Sequence, residues 1–310
     1  MDYIQQAYKS KYQFWKYLLI PGGFLGLMAL NYFVIKFLNL DVDKLIQSEI
    51  RSKGKNRVLI EMLIPFAIGL SLLFLWVKYI HKQSLVSLTT ARKKIDWKRF
   101  WFIFFIWGIV SSGFVLIDYY MSPENYQFNF QLQPFLILAV IAILLIPIQT
   151  SFEEYLFRGY LMQGIGVMAK NKWLPLLLTS TIFGLMHIAN PEVEKLGPMI
   201  MVYYIGTGLM LGIMTLMDDG LELALGFHAA NNLFTALLVT ADWTAFQTHS
   251  ILKDMSDPDK MGIMEIFVPV FIVFPILLFI LSKKYQWINW KDKLFGAVTA
   301  PPKEDYKILD

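Results

Sequence analysis

Cysteine is missing from all 310 residues, which removes disulfides, thiolate nucleophiles and thiolate metal sites together. Charge is also scarce, at 17% of residues, and histidine occurs only four times. Any chemistry must therefore come from carboxylate, imidazole, hydroxyl or amide groups. No long basic face interleaved with aromatic residues occurs, so nucleic acid is not an expected partner. Nothing at the N-terminus resembles a cleaved signal: the first apolar stretch is too long and has no small-residue cleavage site, so it is expected to be a retained span. No repeat or low-complexity array is present.

What the chain has in excess is apolar surface. Hydrophobic residues make up 56% and aromatics 16% of the chain, more than one soluble domain needs to bury. The sequence reads as an all-α, polytopic transmembrane helix bundle. Apolar runs of about 20 residues, the length that crosses a bilayer, lie at 14–38, 58–80, 100–120 and from 134 onward, then at 173–188, 198–217, 221–240 and 264–281. That gives about eight spans. The fourth begins PFLILAVIAILLIPIQT and continues past Pro147 through EEYLFRGYLMQGIGVMA without a turn signal. It is expected to be either one long kinked helix or a span followed by an interfacial segment. The chain divides into residues 1–133 (first three transmembrane helices), 134–240 (the helices that carry the polar motifs) and 241–310 (last span and amphipathic tail).

Lysine and arginine set the expected orientation. With the N-terminus cytoplasmic, the cytoplasmic connections hold seventeen of them and the opposite side eight, which favours both termini inside. The dissenting segment is DKLIQSEIRSKGKNR, which carries five basic residues on the outer side and reads as an amphipathic surface helix. The tail after Ser282, with its YQWINW string, is expected to rest on the membrane surface and fray at its end. A Lys- and Ile-rich, cysteine-free composition points to a multi-pass protein of a bacterial plasma membrane, in contact with membrane lipid.

Polar residues inside spans are costly, at about 2.5–3.5 kcal/mol per charge on insertion scales, and therefore informative. The main ones are Glu61, Glu153, Glu154, Arg158, His187, His228, Asn231 and Asn232. Glu154 and Arg158 are spaced i, i+4 and can neutralise each other, while Glu153 lies about 100° around the helix and is free to face elsewhere. Phe183 and His187 are one turn apart, as are His228 and Asn232. If their helices meet, a carboxylate, two imidazoles and an amide converge. A carboxylate and an imidazole can hold and deprotonate water; an imidazole and an amide N–H can stabilise an oxyanion. Asn231, at i+3 from His228, competes with Asn232 for the last role. Glu61 reads as an interfacial carboxylate, Gly206, Gly208 and Gly212 as close-packing positions, and Asp218, Asp219 and Glu222 as a solvated acidic turn.

The strings EEYLFRG, FGLMH and HAANN, in this order on separate apolar helices, resemble the CPBP intramembrane proteases, also called the Abi or CAAX-protease family, which includes the Ras-converting prenyl-protein endopeptidase. The family pattern is Glu-Glu-x-x-x-Arg, Phe-x-x-x-His and His-x-x-x-Asn or Asp. Glu153, Glu154 and Arg158 match the first element, Phe183 and His187 the second, and His228 and Asn232 the third. The resemblance implies that Glu153 and His187 activate water, His228 and Asn232 form the oxyanion hole, and Glu154 and Arg158 support them as an ion pair. It covers roughly residues 134–240. Two routes stay open for a metal: zinc held by Glu153, His187 and His228 with a fourth position free, or water activation without a metal. The expected activity is that of an intramembrane endopeptidase. Its substrate would be a membrane-embedded or lipidated peptide, or a C-terminal one, whose scissile bond enters from the cytoplasmic side. The alternative is a non-enzymatic membrane protein: an immunity or scaffold protein, or a proton-coupled transporter. A transporter should show broken helices in two similar halves, and no such symmetry is legible.

Overall fold

The computed structural model of this chain describes residues 1–260, 262–306 and 308. It is an all-α helix bundle. Its main helices in chain order are α1 (Lys16–Phe37), α2 (Lys55–Ile80), α3 (Trp97–Met121), α4 (Leu132–Ala169), α5 (Trp173–Leu185), α6 (Ile200–Asp218), α7 (Glu222–Leu238) and α8 (Ile263–Tyr285). Among the described residues, six of them are long and apolar enough to cross a membrane. The exceptions among the eight are α5 and α7, at 13 and 17 residues. These two are sheltered by longer neighbours: α5 packs on α6, and α7 on α3, α4 and α6. Because α7 is enclosed on so many sides, its polar residues face protein.

The fourth apolar segment is one continuous helix of 38 residues, running through Pro147 and the EEYLFRG string. At 1.5 Å per residue it is about 57 Å long, well beyond the ~30 Å hydrocarbon layer, so its last turns must leave the membrane. Those turns pack under the N-terminal segment, where Tyr12 Oη donates to the Gly164 carbonyl at 2.9 Å. Residues Tyr155–Leu161 are wound as π-helix, a local expansion frequently found at functional sites.

The loops form two opposite caps. The terminal cap gathers residues 1–15, 81–96, 170–172, 219–221 and 286–299. Here the acidic turn is not solvated, contrary to the sequence expectation. Asp218 and Glu222 are buried, and Arg92 bridges them at 2.6 and 3.4 Å, while Arg99 and Trp287 also donate to Asp218. Asp219 pairs with Lys293. These acids face cations from two other segments, which residue spacing along α6 and α7 could not reveal. The tail docks into the same cap, with Lys172 N–H donating to the Gly296 carbonyl and Val298 N–H to that of Lys170. The expected fraying falls partly on residues 307, 309 and 310, outside the described residues.

The opposite cap carries a small sheet in the order β1 (Tyr126–Phe128), β3 (Leu252–Asp254), β2 (Val239–Ala241), with β1 antiparallel and β2 parallel to β3. The dissenting basic segment forms a helix here, Val42–Lys53, with no buried residue. It is held by Lys195–Asp43 at 2.9 Å and by Gln47 donating to Gln247 at 2.7 Å. Glu61 binds Lys53 and Arg57 at this cap.

Candidate active site

The two glutamates near the middle of α4 diverge in their partners. Glu154 is fully buried, and its Oε1 accepts from Arg158 Nη1 at 2.8 Å and from His228 Nδ1 at 2.8 Å. Arg158 is also buried; its Nη2 donates to the Gly208 carbonyl at 3.0 Å, and its guanidinium lies 4.1 Å from the Phe183 ring centroid. That approach depends on Gly208. A Cβ there would lie 2.7 Å from the Ser180 carbonyl oxygen, so only glycine lets α5 and α6 come this close. Phe183 therefore does more than wall the pocket: it covers the cation that anchors Glu154.

Glu153 points elsewhere. It accepts from Gln149 Nε2 at 2.7 Å through Oε1, and its Oε2, with no hydrogen-bond partner, stands 3.5 Å from His228 Nε2. His228 thus sits between both carboxylates, with Nδ1 on Glu154 and Nε2 toward Glu153. The two carboxylates thus differ in partners as their spacing predicts, and Glu154 in addition accepts from His228.

His187 lies in the turn after α5. Its Nδ1 is 2.8 Å from the Phe183 carbonyl oxygen, which can only accept, so Nδ1 carries the proton and Nε2 keeps the lone pair. The ring stacks on Tyr204 at 4.3 Å. It makes no hydrogen bond to Glu153 or His228. Among the described residues, no group of three or more His, Asp or Glu side chains is placed to hold a metal ion, so Glu153, His187 and His228 do not assemble as a ligand cluster. Asn232 donates through Nδ2 to Gln149 Oε1 at 3.3 Å, while Asn231 Oδ1 accepts from Trp107 Nε1 at 3.0 Å.

Glu153, His187, His228, Asn231 and Asn232 all line one cavity of about 490 Å³. It extends from Glu153 to residues 239–246 of the sheet-bearing cap, away from the termini. The lining thus reaches the end of the bundle opposite the termini. Sequence reasoning passed over Gln149, which bridges Glu153 and Asn232, although its i, i+4 spacing from Glu153 in an apolar helix was a usable signal. Tyr204 and Glu192, also on the cavity wall, left no such mark.

Comparison with known proteins bears directly on this region. Residues 131–234 match the family model described as type II CAAX prenyl endopeptidase Rce1-like, a segment that contains all three motifs. The uncharacterized protein YyaK of Bacillus subtilis (strain 168) is 33% identical over 168 residues, covering 54% of this chain and 56% of that protein. The matched region is thus a little over half of that relative's length. No solved structure matches the chain.

Proposed function

We propose that this multi-pass membrane protein, Rce1-like over its motif-bearing helices, is an intramembrane endopeptidase that hydrolyses a peptide bond of a membrane-associated substrate. One observation carries the reading: a buried, unpartnered carboxylate oxygen of Glu153 lies on a cavity shared with His187, His228 and Asn232.

In the proposed reaction a water is held between Glu153 Oε2 and the lone pair of His187 Nε2. Glu153 removes one proton while the water oxygen attacks the substrate carbonyl carbon. The negative charge that develops on the carbonyl oxygen is met by Nε2–H of His228, acting as an imidazolium between two carboxylates, and by the second Nδ2–H of Asn232. The C–N bond then breaks, and Glu153 returns its proton to the departing amine. Arg158 offsets Glu154, so the four charged groups balance and the burial cost is shared. No step is routed through a metal. Preorganised donors of this kind are worth about 10²–10³ in rate each.

The test uses purified full-length protein in nanodiscs with a library of membrane-anchored peptides, followed by mass spectrometry. Wild type is expected to release discrete fragments, and His187→Ala and Asn232→Ala to slow cleavage by at least about 10²-fold. Undiminished cleavage by both variants would sink the assignment. Prolonged treatment with a strong chelator is expected to leave the rate unchanged; inactivation reversed by zinc would require the metal route.

A further inference from the structure

The cavity wall has a one-sided charge. Glu153, Glu192 and Asp254 line it, and no lysine or arginine does among the described residues. Three cations on the same cap are engaged elsewhere. Lys195 pairs with Asp43 at 2.9 Å, Lys253 with Asp242 at 2.6 Å, and Lys55 donates to the Thr248 carbonyl at 3.4 Å. Arg158, behind Phe183, is consumed by Glu154 and Gly208. Glu192 is incompletely satisfied: Oε1 accepts the Ala245 N–H at 2.9 Å, while Oε2 is buried without a partner. Burial raises its carboxyl above the ordinary glutamate range, as expected of an anion short of a cation. Tyr204, stacked on His187, and Trp243, whose buried Nε1–H has no acceptor, add aromatic surface to the same walls.

We propose that, granted the proteolytic reading above, this cavity receives a peptide segment bearing a lysine or arginine side chain, with Glu192 as the specificity-determining partner of that cation. A carboxylate oxygen lacking a donor, beside aromatic faces, suits an ammonium or guanidinium by charge-assisted hydrogen bonding and cation–π contact. Trp243, a donor only, suits a substrate carbonyl. A free C-terminal carboxylate, by contrast, would enter a site with three acids and, among the described residues, no lysine or arginine. The substrate is therefore an internal or N-terminal cationic segment, and a C-terminal carboxylate is disfavoured.

The experiment compares matched membrane-anchored peptides that differ only in Lys, Gln or Glu at one position scanned across the scissile region. At one position wild type is expected to cleave the Lys peptide at least tenfold more efficiently than the Glu peptide, mainly through KM. Glu192→Gln, which keeps the acceptor for Ala245 N–H, is expected to bring that ratio close to one, and Asp254→Asn to leave most of it. Equal cleavage of all three peptides, or a preference for Glu, overturns the inference while leaving proteolysis intact. If no peptide is cut, binding of the same series to wild-type protein, read by fluorescence anisotropy, decides the matter. Tenfold tighter binding of the Lys peptide, lost in Glu192→Gln, supports the cationic site even though the proteolytic reading fails, and equal binding overturns it.

Discussion

At the scale of single residues, Glu153 and Glu154 are adjacent and both buried, yet they differ in what a neutral substitution would do. Glu154 neutralises Arg158 and orients His228, so Glu154→Gln leaves a buried guanidinium uncompensated. Loss of one partner from such a pair costs about 3–5 kcal/mol, and differential scanning fluorimetry in detergent is expected to show a large drop in the unfolding midpoint. His81 makes a second residue-level prediction. It is buried in the terminal cap with Nε2 2.8 Å from Tyr160 Oη, and burial, aided by the nearby Lys16 charge, holds its imidazole down to about 4. The folded state thus refuses a proton that the unfolded chain accepts below about 6.5. The associated stability is fully present above that pH and is lost as pH falls toward 4. His81→Gln is expected to flatten the decline in midpoint between pH 7 and 5; an unchanged decline would assign it to other groups.

At the scale of elements, the close crossing of α5 and α6 positions both Phe183 and the carbonyl that receives Arg158. Gly208→Ala forces a methyl against the Ser180 carbonyl and is expected to cost about 1–3 kcal/mol, as overpacking typically does, with a matching fall in thermal midpoint. The helices themselves were legible in the sequence, because apolar runs of spanning length and i, i+4 polar pairs are local patterns. So was the separation of Glu153 from Glu154, which follows from a rotation of about 100° per residue. The π-helical turn after Glu154, the three-residue strands and the burial of Asp218 were not legible. The last two depend on partners distant in sequence: Asp218 meets Arg92 and Arg99, and β3 pairs with β1 from more than a hundred residues away. Gln149 lay between these cases, visible as a polar residue in an apolar helix but meaningful only once Asn232 was beside it.

At the scale of the whole molecule, the two caps give the protein a direction. Charge balance predicts the terminal cap inside, and the cavity lining reaches the other one. We therefore expect substrate to arrive at the extracytoplasmic face. The absence of cysteine makes this simple to check with single-cysteine variants. Glu124→Cys in the sheet-bearing cap is expected to react with a membrane-impermeant maleimide on intact cells, and Lys303→Cys only after permeabilisation; the reverse pattern would turn the cavity inward. The role proposed for Glu153, as the base that activates water, is decided by Glu153→Gln. This change keeps the shape and removes the negative charge. Measured on one cleaved peptide with folding monitored in parallel, the variant is expected to retain the wild-type unfolding midpoint within a few degrees and to lose activity by about 10²–10⁴-fold. A folded Glu153→Gln protein that cleaves at the wild-type rate would rule out that role.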